Sequence, residues 1–346
     1  MNYSQSDKQR LLLAMSGGVD SSAAIALLKR DYDVIGVTFR FFGDFDTLAA
    51  KSVARRFSIE HHIVDRTSDF KERVIQPFAD SWFAGLTPNP CAVCNRDMKF
   101  PALFEKADEL GCDLVATGHY ARCENGVLKC ALTETGEINP KDQSYMLYTL
   151  TPCRLSRIVF PLGNLSKAAV RRIAAESELN NADKPDSQDI CFVLDGDYVS
   201  FIEEFTGRRS EAGDFTDKTG RVIGKHNGHI HYTLGQRRGL GISSHERLYV
   251  TSKDAISNAV TVGAQDELFV KTFEVCDVVW HRELVQSATV KTRYTPASAP
   301  CTICPVGSLG ENRVRVTLET PQKTVAPGQC AVFYDGVTVV GGGIIC

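Results

Sequence analysis

Residues 10–15 (Arg10-Leu-Leu-Leu-Ala-Met15) form an apolar run of strand length with no polar alternation, the pattern of a strand covered on both faces. Ser16-Gly-Gly-Val-Asp-Ser-Ser22 then turns the chain into residues 23–30, which carry helical spacing. A second buried strand follows at 34–39. The alternation continues with a helix at 47–57, a strand at 61–64, helices around 70–78 and at 100–110, and a strand at 114–117. Strand and helix periods in turn predict an α/β fold, a doubly wound parallel sheet.

Past Pro152 the pattern changes. Residues 166–178 read as an amphipathic helix with Ser166 as its N-cap, and a polar loop at 180–189 leads to the apolar run 190–194. From about 270, short alternating strands separated by Pro, Gly and Asn, among them 288–294, 313–318 and 331–334, predict a small C-terminal β-barrel or sandwich. The expected division is a catalytic domain over 1–195, a small central domain over 196–268 and a barrel over 269–346.

A length of 346 residues suits two or three such domains, and 43% hydrophobic with 23% charged residues excludes wholesale disorder or a fibrous chain. No stretch approaches the roughly 20 apolar residues of a membrane span, and residues 1–10 are polar where a secretory signal has an apolar core. The expected location is therefore the cytoplasm, and the twelve cysteines are expected as reduced thiols. The net charge of −3 gives no global sign of a nucleic-acid partner. Locally the picture differs: residues 206–247 hold eight Lys/Arg against four acids, a net +4.

The turn at 16–22 follows a strand and opens a helix, where backbone amides and the positive helix end can hold phosphate. Two glycines let the main chain approach an anion and three hydroxyls add donors. It lacks the Gly-Lys-Ser/Thr of the common ATPase loop. It resembles instead the pyrophosphate-binding loop of the ATP pyrophosphatase class, whose members adenylate a carbonyl oxygen; the plainer alternative is a loop that only caps a helix.

The thiols narrow the class. Leu86-Thr-Pro-Asn-Pro-Cys91-Ala-Val-Cys94-Asn95 is turn-forming and sets two thiols three residues apart, and Asp186-Ser-Gln-Asp-Ile-Cys191-Phe192 presents a third. With Thr117-Gly-His-Tyr-Ala-Arg122, Lys141-Asp-Gln-Ser-Tyr145, Tyr232-Thr-Leu-Gly-Gln-Arg-Arg-Gly-Leu-Gly241, Val290-Lys-Thr-Arg-Tyr294 and the terminal Gly341-Gly-Gly343, the series resembles the tRNA-specific 2-thiouridylases over nearly the whole chain. That resemblance implies ATP- and Mg²⁺-dependent thiolation of the wobble uridine in tRNAs for Glu, Gln and Lys, with sulfur from a donor protein or sulfide. It implies Cys191 as persulfide carrier and Cys94 as partner thiol able to form a disulfide with it, and Asp20 is counted with them among the catalytic residues. Ala14, Met15, Ser16, Gly17, Gly18, Val19, Asp20, Ser21, Phe39 and Gly118 would line the ATP site. Asn89, Pro90 and Cys91 would face the base, and His119, Lys141, Asp142, Gln143, Arg293, Tyr294 and Gln329 would touch tRNA. Basic side chains suit phosphates, and an aromatic ring can stack on a splayed base.

Two departures matter. The family usually has Asp where this chain has Cys91, so Cys91, Cys94 and Cys191 are three candidate soft ligands, enough for a [4Fe-4S] cluster with one open iron. A fourth protein ligand would instead favour zinc; a small residue tolerated in a turn is the bland alternative. After Phe39 the family's longer acidic and aromatic insertion is missing, and the chain passes through Arg40-Phe-Phe-Gly-Asp44 almost directly into a helix. His226, His229 and His231 read as incidental rather than metal-binding, Cys301 and Cys304 as strand thiols, and Cys112, Cys123, Cys130, Cys153, Cys276, Cys330 and Cys346 as packing residues. An ATP-dependent amidotransferase-like synthetase would share the loop without needing the thiols. A tRNA-binding module with a degenerate site would share the basic tail.

Overall fold

Parallel strands β1 (Arg10–Ala14), β2 (Asp33–Arg40), β3 (His61–Asp65), β4 (Leu114–Ala116) and β7 (Ile158–Val159) form a sheet in the order β3-β2-β1-β4-β7. Leu11, Leu13 and Met15 pack on one face with Ala23, Ala24 and Leu28 of helix α1 (Val19–Leu28) and with Ala50 and Val53 of helix α2 (Leu48–Arg56). Val170 and Ala174, from the helix Lys167–Glu176, complete that layer. Leu12 points to the other face and is fully buried, and the helix Phe100–Glu109 lies against β1 and β4. This is the α/β arrangement that the unbroken apolar run demands, because a strand with no polar face must be covered twice.

The computed structural model describes residues 8–43, 47–177, 190–295, 297–307 and 312–346. They fall into two compact units: 1–74 with 91–188 and 334–341, and 75–90 with 189–333 and 342–346. In the second unit β8 (Gly213–Thr216), β9 (Val222–His226), β10 (Tyr249–Asp254) and β11 (Ala259–Gly263) form a sheet in the order β10-β11-β8-β9 over a core of Phe215, Tyr232, Leu240, Val250, Val260 and Val262. The C-terminal strands β12 (Phe269–Trp280), β13 (Ser287–Lys291), β14 (Ala299–Pro305), β15 (Val314–Lys323), β16 (Cys330–Asp335) and β17 (Thr338–Ile345) run in the order β12-β15-β14-β13-β16-β17, and β12 pairs with β17 to close a six-stranded barrel. Val314, Val316 and Leu318 point inward in alternation.

The structure corrects several expectations. Helix α1 starts at Val19, not at residue 23. The stretch 86–95, expected as a turn, becomes helical at Pro90, where a residue without an N–H starts a helix at no cost. That helix runs as Pro90–Cys94, a π-turn at Asn95–Lys99, and Phe100–Glu109. A second π-turn, Lys71–Ile75, interrupts the run between Thr67–Phe70 and Gln76–Phe83. Each π-turn ends two residues before a proline, Pro101 and Pro77, whose ring clashes with the carbonyl four residues back and widens the helix there. The strands β5 (Ala121–Glu124) and β6 (Val127–Cys130) form a hairpin that the hydrophobic pattern did not suggest. Its signal was Asn125-Gly126, both left-handed at φ 53° and 74°, the residues a tight two-residue turn requires. The loop expected at 180–189 lies outside the described residues.

Cys276 and Cys346 are joined in a disulfide across 70 residues, which corrects their reading as packing thiols. Cys94 and Cys191, the pair the resemblance singled out for disulfide exchange, are free thiols.

Candidate active site

β1 and β4 are neighbours, with Leu11 opposite Leu114 and Leu13 opposite Ala116, yet β1 connects onward to β2 on its other side. Such a reversal of strand order opens a crevice at the C-terminal strand ends. Residues 15–18 leave β1 into this crevice and 117–120 leave β4 into it. Gly17, at φ 72°, approaches α2 so closely that a Cβ would sit 2.8 Å from Ala50 N. Gly118 is equally confined: a Cβ would lie 3.1 Å from Ser21 N. Ser22 Oγ donates to Gly18 O at 2.8 Å and Ser21 Oγ to the same oxygen at 3.2 Å, while Ser16 N donates to Ser21 Oγ at 3.3 Å. Gly18, the N-cap, has no side chain to satisfy the first-turn amides of α1, which leaves them for an anion. Ala14, Met15 and Val19 continue this loop, and Phe39, at the end of β2, is buried and stacked on Phe41 at 5.8 Å.

Asp20, in the first turn of α1, has partners the sequence pattern did not reveal. Lys167 Nζ donates to its two oxygens at 2.8 and 2.9 Å, and Tyr120 Oη donates to Oδ1 at 2.8 Å. Lys167 opens its helix just after Ser166, whose Oγ accepts from Ala169 N at 3.2 Å as an N-cap should. A cation and an anion therefore face one another at a helix N-terminus, a constellation that binds and orients phosphates. The only sequence signal for Lys167 was its place beside a capping serine.

A second group surrounds Cys94. Burial raises the Cys94 thiol, against the opposing influence of Lys99, and the same two causes act on Cys91, which remains exposed at the surface. Both are thus thiols at neutral pH, and Lys99 is the cation placed to favour a thiolate. Lys99 Nζ also lies 3.4 Å from His119 Nε2, and His119 Nδ1 lies 2.7 Å from Thr117 Oγ1. Burial holds the His119 imidazole well below its ordinary range, with Lys99 adding to the effect, so the ring is neutral. An ammonium can only donate, so Nε2 is the acceptor and Nδ1 carries the proton. His119 also stacks on Phe100 at 5.9 Å. Because the Cys94 thiol is raised, its alkylation by iodoacetamide is expected to be slower at pH 7 than that of a free cysteine and to climb with a midpoint above the ordinary thiol value. Peptide-resolved mass spectrometry across pH 7–10 measures this.

Three matched family models cover most of the chain: the tRNA methyl transferase HUP domain over residues 9–195, the tRNA methyl transferase PRC-barrel domain over 199–264, and the aminomethyltransferase beta-barrel domain over 270–345. The tRNA-specific 2-thiouridylase MnmA of Geobacter metallireducens is 42% identical, covering 98% of this chain and 97% of its own. The protein of the same name from Syntrophotalea carbinolica is 44% identical over 97% and 98%. The chain belongs to the tRNA-specific 2-thiouridylase family. Among solved structures, NMN synthetase from Francisella tularensis aligns at a TM-score of 0.35 and 15% identity, over 59% of this chain and 80% of its own.

Of the residues that the 2-thiouridylase resemblance assigned to tRNA, several face inward. Asp142 is buried, and its carboxylate accepts from Ala131 N at 2.9 Å and from Ser144 Oγ at 2.8 Å, which orders its loop. Gln143 Oε1 accepts from Tyr120 N at 2.9 Å and so steadies the residue that holds Asp20. Gln329 Nε2 donates to Thr87 O at 3.0 Å and Pro88 O at 3.3 Å. Lys141 and Asn89 are half-buried and Pro90 is buried, whereas Arg293 and Tyr294 are exposed. In the basic stretch, Arg208, Arg209, Arg221 and Lys225 pair with Asp80, Glu203, Asp217 and Asp214. Lys218, Arg237, Arg238 and Arg247 are exposed and make no ion pair with the described residues, and Arg237 and Arg238 are adjacent in the chain.

Cys191 is exposed, and its neighbour Phe192 anchors the turn against Phe78 at 5.3 Å and Phe201 at 5.4 Å. Among the described residues no three His, Cys, Asp or Glu side chains converge as a metal site, so the Cys91, Cys94 and Cys191 cluster has no geometric support. His226, His229 and His231 have separate partners, Gly228 N, Asn258 Oδ1 and Ser210 Oγ. Burial pushes the Cys301 thiol up to about 12, an inert strand residue as expected. Among the described residues no helix is long and apolar enough to cross a membrane.

Proposed function

We propose that this chain is an ATP-dependent tRNA-uridine 2-sulfurtransferase acting on the wobble uridine of tRNAs for Glu, Gln and Lys, in the cytoplasm. The observation that carries the reading is the Asp20–Lys167–Tyr120 cluster at the N-terminus of α1, in the crevice beside β4, in a chain of the 2-thiouridylase family. The nucleotide is ATP, lined by Ala14, Met15, Ser16, Gly17, Gly18, Val19, Ser21, Phe39 and Gly118. First-turn amides and Lys167 take the phosphates. Asp20, one carboxylate beside phosphate oxygens, fits the way Mg²⁺ is commonly held, where the ion would neutralise charge on the departing pyrophosphate.

In the first step the uridine O2 attacks the α-phosphorus, the bond to the β-phosphate oxygen breaks and pyrophosphate leaves. The adenylated C2 is then attacked by the terminal sulfur of a persulfide on Cys191, and AMP departs with the former O2. Cys94, as thiolate, attacks Cys191 Sγ, so that a Cys94–Cys191 disulfide forms and the transferred sulfur stays on C2 as the thiocarbonyl. A thiol reductant restores the pair and a donor protein's persulfide then passes its outer sulfur to Cys191, leaving as a thiol; alternatively hydrosulfide attacks Cys191 Sγ of the disulfide directly, forming the persulfide as Cys94 departs as thiolate. Asn89, Pro90 and Cys91 face the base, His119, Lys141, Arg293 and Tyr294 the surrounding tRNA, with Arg237 and Arg238 on phosphate. The catalytic domain, the small central domain and the barrel divide near residues 195 and 268.

The decisive experiment incubates the protein with undermodified tRNA, ATP, Mg²⁺ and a sulfide source and analyses the nucleosides. 2-Thiouridine at the wobble position, with pyrophosphate released only when tRNA is present, is the expected result. Pyrophosphate release without a tRNA requirement, or tRNA binding with no thiolation, would overturn the reading in favour of a synthetase or a binding module.

A further inference from the structure

Asp20 is held by two donors of different kinds. Tyr120, 3% exposed, donates from Oη to Oδ1 at 2.8 Å, and its backbone N–H is fixed in turn by Gln143 Oε1 at 2.9 Å. Burial and backbone together keep this donor in place. Lys167 reaches both oxygens, at 2.8 and 2.9 Å, and among the described residues Oδ2 accepts from Lys167 alone. Its ammonium, 5.9 Å from the centre of the Tyr120 ring, ends a flexible four-carbon stem. Rotation of that stem moves the charge while the backbone stays at the first turn of a helix capped by Ser166. The proposed reading gives these groups two further duties, a phosphate for Lys167 and Mg²⁺ for Asp20. Neither can be met while the pair is closed, because an ammonium on both oxygens covers the carboxylate and neutralises the charge that would attract a metal. The donor set suits a metal that comes with its nucleotide: Asp20 supplies one hard carboxylate at the start of α1, and among the described residues no group of three His, Cys, Asp or Glu converges there.

We infer that Lys167 and a divalent cation compete for Asp20, so that binding of metal-bound ATP transfers the Lys167 ammonium from the carboxylate to the phosphates while Tyr120 keeps the carboxylate aimed. The inference rests on the proposed reading of residues 14–21 as an ATP site. Its consequence is that ATP binding, and not only the reaction, depends on the metal. Without a divalent cation Lys167 stays on Asp20, and the phosphates meet a carboxylate and an ammonium already engaged.

Calorimetric titration of the full chain with ATP, in the absence of tRNA, reads the exchange directly. The unaltered protein is expected to bind ATP at least about tenfold more weakly in EDTA than in Mg²⁺. Asp20→Asn removes the partner that retains the ammonium, so its affinity in EDTA should rise at least about fivefold above that of the unaltered protein. Loss of like-charge repulsion is the rival explanation of such a gain, and a double variant separates the two. With Lys167→Met as background, adding Asp20→Asn should change the affinity in EDTA by less than about threefold, because no ammonium is left to release. A gain of about threefold or more in that background would assign the effect to repulsion and overturn the inference. Absence of the rise in Asp20→Asn would overturn it too. So would equal ATP affinity of the unaltered protein in EDTA and in Mg²⁺, an outcome that needs no variant to fold. No ATP binding in either buffer would overturn the reading of the site itself and this inference with it, whereas ATP binding with the wrong metal dependence overturns the inference alone.

Discussion

Cys191→Ser is expected to abolish 2-thiouridine formation, by a factor of about a thousand or more, while pyrophosphate release in the presence of tRNA persists. A hydroxyl cannot carry a persulfide and is a far weaker nucleophile than a thiolate, so a substitution of nearly the same size removes the chemistry and little else. Cys191 is exposed, and its turn is held by the packing of Phe192 on Phe78 and Phe201, which the serine leaves intact. Pyrophosphate and 2-thiouridine are measured in the same reaction. The expected signature is uncoupling: adenylation continues and sulfur transfer stops. Thiolation retained at a tenth of the normal rate or better would show that sulfur reaches C2 by another route and would remove Cys191 from the mechanism.

The opposite uncoupling is expected at the other end of the site. Asp20→Asn should cut pyrophosphate release by about 100- to 1000-fold, roughly 3–4 kcal/mol of transition-state stabilisation. The carboxylate there accepts from Lys167 and Tyr120 together, so the amide leaves one cation unbalanced and takes away the negative charge that orients it. Both partners are half-buried or buried, and the loss of the pair is expected to cost about 1 kcal/mol or somewhat more in stability, too little to unfold the domain. Thermal unfolding checks that, and single-turnover pyrophosphate assays give the rate. Persulfide loading of Cys191 in Asp20→Asn should match the unaltered protein. A variant that loads sulfur and still releases pyrophosphate at the normal rate would show that Asp20 plays no part in adenylation.

Each half of the site was legible to a different degree. The run at 10–15 and the turn at 16–22 announced a strand, a phosphate-binding turn and a helix because all three depend on residues close in sequence: apolar side chains without alternation, glycine at φ 72°, and hydroxyls that reach back to Gly18 O. The inward alternation of Val314, Val316 and Leu318 likewise foretold barrel strands. Lys167 was not legible as a partner of Asp20, since 147 residues separate them and no local pattern encodes their meeting. Asp142, which the resemblance assigns to tRNA, is drawn inward by Ala131 N and Ser144, a placement set by the hairpin turned at Asn125-Gly126. The helical start at Pro90 was hidden by the prolines around it, which suggest a turn unless one of them occupies the first helical position.

Taken alone, the amino-acid order determined the layered α/β core, the barrel, the anion-binding turn and the cysteines worth watching, because strand burial, turn conformation and thiol chemistry are properties of a few adjacent residues. The tertiary structure alone decided which charges oppose one another, which thiols are raised by burial, that Cys276 joins Cys346 across 70 residues, and that the Gln329 amide reaches Pro88 O 241 residues earlier in the chain. Those outcomes belong to chain closure: a contact between distant segments forms only when the whole fold delivers both ends, and no local preference records it.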